Sequence, residues 1–123
     1  MKTPLRILQV VALFLAFSLV PLAHATEMVI IDGKYKQGTT SAPDPEYPIH
    51  AQHIGATGQG IYRLVINTKT GGVDEVKVFK STGARELDAT AVMTLFKWKF
   101  QPGIDHRDVL VKFNLTGWSR GLH

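Results

Sequence analysis

The sequence predicts a two-layer α+β domain: a three-stranded antiparallel sheet in the order 2-1-3, with a long and a short helix on one face. Three observations predict it. Leu87, Ala91, Leu95 and Trp98 recur at steps of four, four and three, with Val92 and Phe96 widening the stripe, as in an amphipathic helix. Two alternating stretches, Ile61–Thr68 and Val73–Lys80, flank a Gly-bearing connection, and a third, Val109–Thr116, follows the helix. A crossover helix returns the chain parallel to the strand it left. The last strand therefore runs parallel to Val73–Lys80 and antiparallel to Ile61–Thr68, beside which it lies.

Taken in order, Met1–Ala25 has Lys2 and Arg6, an apolar run from Ile7 to Leu22, and the ending Ala23-His24-Ala25. That is the pattern of a secretory signal peptide. The run has 16 residues, interrupted by Gln9, Ser18 and Pro21, against the roughly 20 a spanning helix needs. Cleavage after Ala25 is expected, with a retained inner-membrane anchor as the alternative. Removal takes Lys plus Arg from 14 to 12 against 10 acids, so the net charge falls from +4 to +2. The remaining basic residues are scattered singly, without interleaved aromatics, which argues against nucleic-acid binding. With no cysteine in the chain, thiolate catalysis and Cys-ligated metal are excluded.

Residues 26–42 read as a partly ordered N-terminal arm. Within it, Met28-Val29-Ile30-Ile31 forms a brief edge strand at most. The domain is expected over residues 43–116, followed by a tail, 117–123, with Trp118. Pro43, Pro45 and Pro48 keep their segment extended. Ile49–Ile54 then makes a short helix that Gly55 stops. Gly58-Gln59-Gly60 fits neither a dinucleotide fingerprint nor a P-loop, because no helix follows, so it reads as a bulged strand start. Lys69-Thr70-Gly71-Gly72 makes the hairpin connection. Ser81-Thr82-Gly83 is a turn whose hydroxyls are expected to cap the long helix, Arg85–Lys99, which Pro102 ends. Asp105, His106, Arg107 and Asp108 fall in a loop before the last strand.

Pro45-x-Tyr47-Pro48, Ala51, Gly58-x-Gly60, Gly72-Val73, Ser81-Thr82-Gly83, Leu87-Asp88, Ala91 and Trp98-x-Phe100-x-Pro102 then follow one another ahead of a final alternating strand. In this order and spacing, from about Pro43 to Leu115, the chain resembles the TonB C-terminal domain family of periplasmic energy transducers. Departures from the family pattern are Thr82, where a second serine is usual, and Thr90, where a second alanine is. The arm Thr26–Asp44 also stands where the family has a long Pro-rich rod; its 19 residues reach at most about 65 Å.

The resemblance implies a periplasmic protein-binding module, linked to transmembrane transport and without enzymatic activity or cofactor. Its partner would be an extended segment of an outer-membrane receptor or another periplasmic protein, added as a strand along Val109, Leu110, Val111, Lys112, Phe113, Asn114, Leu115 and Thr116. Lys112 would guard that open edge, and pairing of two copies through it is the competing use. Two alternatives accompany this reading. One is a membrane-anchored short transducer. The other is a small exported metal binder or hydrolase using His50, His53 and His106, which requires those side chains to converge with a further ligand. Asp74-Glu75 and Asp105/Asp108 read as solvated acids. Tyr47, Trp98 and Phe100 read as core in preference to a ligand-stacking set.

Overall fold

The computed structural model describes residues 26–116. The expected signal peptide, Met1–Ala25, and the tail with Trp118 lie outside the described residues. The elements run β1 (Thr26–Ile30), a 3-10 turn (Gly33–Lys36), β2 (Thr39–Ser41), α1 (Ile49–His53), β3 (Gly58–Ile66) and β4 (Val73–Lys80). After these come α2 (Arg85–Leu95), β5 (Lys99–Phe100) and β6 (His106–Thr116).

Leu87, Ala91, Leu95 and Trp98 are all buried, and they lie against Tyr62, Leu64 and Ile66 of β3 and Val109, Val111 and Phe113 of β6. The period of 3.6 on one element and of 2 on the others thus meet in one core. Phe96 is 43% exposed, so the stripe is narrower than expected. Trp98 donates its indole N–H to the Pro43 carbonyl at 2.8 Å, and Tyr47 meets Phe113 edge-on with ring centroids 5.4 Å apart. Tyr47, Trp98 and Phe100 are therefore core residues, each with a polar end or an aromatic neighbour satisfied.

The main sheet has four strands, in the order β1-β6-β3-β4. Its inner part, β6-β3-β4, is antiparallel throughout and has the expected 2-1-3 order. The three-stranded expectation is corrected by β1, which pairs antiparallel with the far side of β6. Five residues are too few to display an alternation, and their hydrogen-bonding partners lie at the other end of the chain. A separate two-stranded sheet joins β2 to β5, so the arm is structured along its length.

Two boundaries differ from expectation for physical reasons. The helix stops at Leu95, not Lys99, and tightens into i→i+3 bonds, from Lys97 N–H to the Thr94 carbonyl and from Trp98 N–H to Leu95. Lys99 and Phe100 are then free to bond across to the arm and the hairpin, where Phe100 N–H reaches the Gly71 carbonyl at 2.8 Å. The last strand begins at His106, so His106, Arg107 and Asp108 lie in β6 and not in a loop. Gly58 and Gly60 are needed for closeness: a Cβ would sit 2.4 Å from the Thr82 carbonyl oxygen at the first and 2.4 Å from the Tyr62 hydroxyl at the second. The irregularities of β3 fall elsewhere, at Ile61/Tyr62 and Val65/Ile66 against β4.

Candidate functional site

β6 has two long edges with different occupants. On the inner side it pairs with β3 from Phe113 opposite Gly58 to His106 opposite Val65. On the outer side, Lys112, Phe113, Asn114, Leu115 and Thr116 face Ile30, Val29, Met28, Glu27 and Thr26 respectively. Alternation divides the expected site residues between two faces. Val109, Val111 and Phe113 are fully buried toward the helices, with Leu115 half-buried on the same face. Leu110, Lys112, Asn114 and Thr116 stand on the open face, Leu110 half-buried and the other three exposed. Only these four offer side chains to a molecule on that face; the other four offer backbone.

Below β1 the arm keeps to the same side of β6. The Arg107 guanidinium donates to the carbonyls of Tyr35 and Gln37, at 2.9 and 2.8 Å. The 3-10 turn is held at its start by Asp32, whose carboxylate accepts from Lys34 N–H at 2.9 Å. A shallow cavity of about 250 Å³ remains between arm and strand, lined by Ile30, Asp32, Lys34, Tyr35, Leu110 and Lys112. The outer edge of β6 is therefore covered by the chain's own residues, where an open edge was expected. Sequence reading missed Arg107 as the clasp, because its partners are backbone carbonyls and carry no residue signature.

On the open face beside this edge, Arg63 forms a two-pronged ion pair with Asp108, at 2.8 and 3.0 Å, and its guanidinium carbon lies 4.3 Å from the Phe79 ring centroid. The hydrogen bond from Arg63 holds the Asp108 carboxyl below the usual range. A second polar cluster fixes the turn before α2. Asp88 accepts from the Tyr62 hydroxyl at 2.8 Å, from Thr82 N–H at 2.9 Å and from the Thr82 hydroxyl at 3.0 Å, and also from Ser81 Oγ. Burial alone would raise the Asp88 pKa, but the hydrogen bonds from Ser81, Thr82 and Tyr62 outweigh it and lower it. Burial, helped by Asp88, pushes the Tyr62 phenol up. The helix N-cap is Ala84, with no side-chain cap. Ser81 and Thr82 thus serve Asp88 and do not cap the helix as expected.

Among the described residues the histidines do not come together. His50 pairs with Glu86 across from α1, and His106 pairs with Asp105 at 2.6 Å at the start of β6. Among the described residues no three His, Cys, Asp or Glu side chains are grouped to hold a metal ion. No described helix is long and apolar enough to cross a membrane.

Against this geometry, the chain is similar to known proteins. Residues 43–116 match the family described as Gram-negative bacterial TonB protein C-terminal. The chain is 37% identical over 60 residues to Protein tonB2 of Pseudomonas aeruginosa, an alignment that covers 49% of this chain and 22% of that relative. The match thus spans about a fifth of the relative's length.

Proposed function

The chain belongs to the TonB C-terminal family, and on that premise we propose that it is an exported periplasmic module that docks an extended protein segment by strand addition to β6. The partner is a segment of an outer-membrane receptor or of another periplasmic protein, and the docking residues are Val109–Thr116. One observation carries the reading. The outer edge of β6 already accepts a five-residue strand, so its backbone donors and acceptors are positioned for an added strand. In strand addition the ladder supplies affinity and alternate side chains supply selectivity. Here the selecting side chains are Leu110, Lys112, Asn114 and Thr116. No bond is made or broken in this reading, and no cofactor takes part.

Backbone amide NMR on the chain, titrated with peptides from outer-membrane receptors, tests it. Shift changes concentrated on β6 and its outer neighbours are expected. Changes centred on His50, His53 and His106 would sink the docking reading and favour the metal-binding one. Export is tested separately: protein recovered from the periplasm should have the mass of Thr26–His123. A membrane-extracted species retaining Met1–Ala25 would instead support an anchored transducer.

A further inference from the structure

We infer that Thr26–Ile30 is a displaceable built-in occupant of the docking edge, and that its register defines the partner. That partner is an antiparallel extended peptide with a β-branched apolar residue at the Val29 position and an acid opposite Lys112. This rests on the docking reading above and adds to it an orientation, a side-chain pattern and a competitor.

The pattern follows from the faces of β1. Val29 stands opposite Phe113 and is the one residue of the strand that is even half-buried. It turns toward the helix-covered face, as Phe113 does. Thr26, Met28 and Ile30 lie on the open face opposite Thr116, Asn114 and Lys112, and all are exposed. One apolar position therefore selects, and the other four, Glu27 opposite Leu115 included, are exposed. Lys112 faces Ile30 and, among the described residues, makes no ion pair. A carboxylate at that position would meet the ammonium group that β1 leaves unmatched, which favours the partner over the resident strand.

The arm is built so that β1 can leave alone. Arg107 holds the backbone at Tyr35 and Gln37, and β2 is paired with β5. Release at Ile31–Asp32 disturbs neither. While seated, β1 competes as a tethered strand at an effective concentration on the order of millimolar, so a free peptide of equal quality binds weakly until β1 is displaced.

The test uses the full chain, which has no native cysteine. Met28→Cys with Asn114→Cys places two thiols on facing residues of the exposed side, within the span a disulfide bridges. The probes are a synthetic Thr26–Asp32 peptide and the same peptide with Ile30→Glu, each followed by backbone amide shifts. In the reduced chain both should bind at Lys112–Thr116, the Glu form several-fold tighter. Oxidation should weaken binding at least tenfold, and reduction should restore it. Met28→Pro with Val29→Pro removes ladder donors at adjacent positions, one of which must point at β6; it should tighten binding at least tenfold. If that variant fails to fold, the oxidised-against-reduced comparison still decides. Equal binding at Lys112–Thr116 in every chain would overturn the displaceable-strand inference and leave edge docking intact. Shifts centred away from β6 would overturn both. A concentration-dependent dimer in sedimentation equilibrium that exchanges residues 26–30 would put a second copy on the edge and overturn the peptide assignment.

Discussion

β6 is one strand with two unlike neighbours. Toward β3 it contributes Val109, Val111 and Phe113 to a core from which solvent is excluded, and Gly58 and Gly60, opposite Phe113 and Val111, sit where a Cβ would collide with Thr82 and Tyr62. Toward β1 it offers the same backbone groups, but the strand that meets them adds only Val29, partly buried, to the core; Met28 is 42% exposed and Ile30 36%. Backbone hydrogen bonds contribute only about 0.5–1.5 kcal/mol each in net terms, while each fully buried aliphatic or aromatic side chain contributes about 1.5–3 kcal/mol. The difference teaches that equal ladders do not make equal strands. Side-chain burial makes β3 permanent and leaves β1 removable.

The contrast can be broken first at its strong side. Trp98→Ala should cost about 3–5 kcal/mol, because it empties a fully buried site beneath β6 and β3. Urea unfolding measures it, and a loss under about 1 kcal/mol would mean that the core does not depend on the helix stripe.

The Asp88 cluster comes next. Removing the charge with Asp88→Asn should cost about 1.5–3 kcal/mol at pH 7, the range for hydrogen bonds to a charged group. The sign of the pH effect follows from the lowered pKa. The stabilisation is complete above the unfolded carboxyl's pKa of about 4 and is lost as pH falls through the lower folded value. Wild type and variant should therefore converge in urea midpoint as the pH drops below about 4. A gap that stays constant down to pH 2 would show that the carboxylate's charge is irrelevant.

Much of this architecture is legible in the residues. The steps from Leu87 to Trp98 and the alternation at Tyr62, Leu64 and Ile66 and at Val109, Val111 and Phe113 are local periodicities, and each face went where its period required. What was not legible depends on distant partners. Met28–Ile31 reads as a strand but cannot announce that it closes the edge of a segment more than eighty residues away. Asp88 looks like an ordinary first-turn acid until the fold brings Tyr62 and Thr82 to it. The helix end was displaced because Lys99 and Phe100 find better backbone partners in β2 and Gly71 than in another helical turn. The candidate site was legible as a strand and as an alternation of faces. Its occupant was not.

At the weak side, effects should be small and local. Val29→Ala should lower global stability by about 1 kcal/mol or less, since it removes two methyl groups from a side chain that is only partly buried. Native-state hydrogen exchange should instead reveal it: amides of β1 exchange faster, while those of β3 and α2 are unchanged. Uniform acceleration across the sheet would mean that β1 is integral to the core. Smallest of all, Lys112→Glu should leave the urea midpoint unmoved, because the residue is exposed. Only the charge preference for docked peptides should invert.

The pairing of Thr26 with Thr116 also has a consequence in time. The first described residue to be synthesised meets the last, so the loop that β1 must close is the longest in the fold. Closing it costs entropy that grows with the logarithm of length, and in return β1 brings only Val29 to the core. Seating should follow assembly of β3, β4, α2 and β6 and not precede it. Each newly folded chain would then pass through an interval in which its acceptor edge is complete and vacant. Pulse-labelling during refolding should find the β1 amides protected last; protection together with the β3 amides would refute that order. A partner segment already waiting at that moment meets no rival, so where and when the chain folds helps decide which strand it first receives.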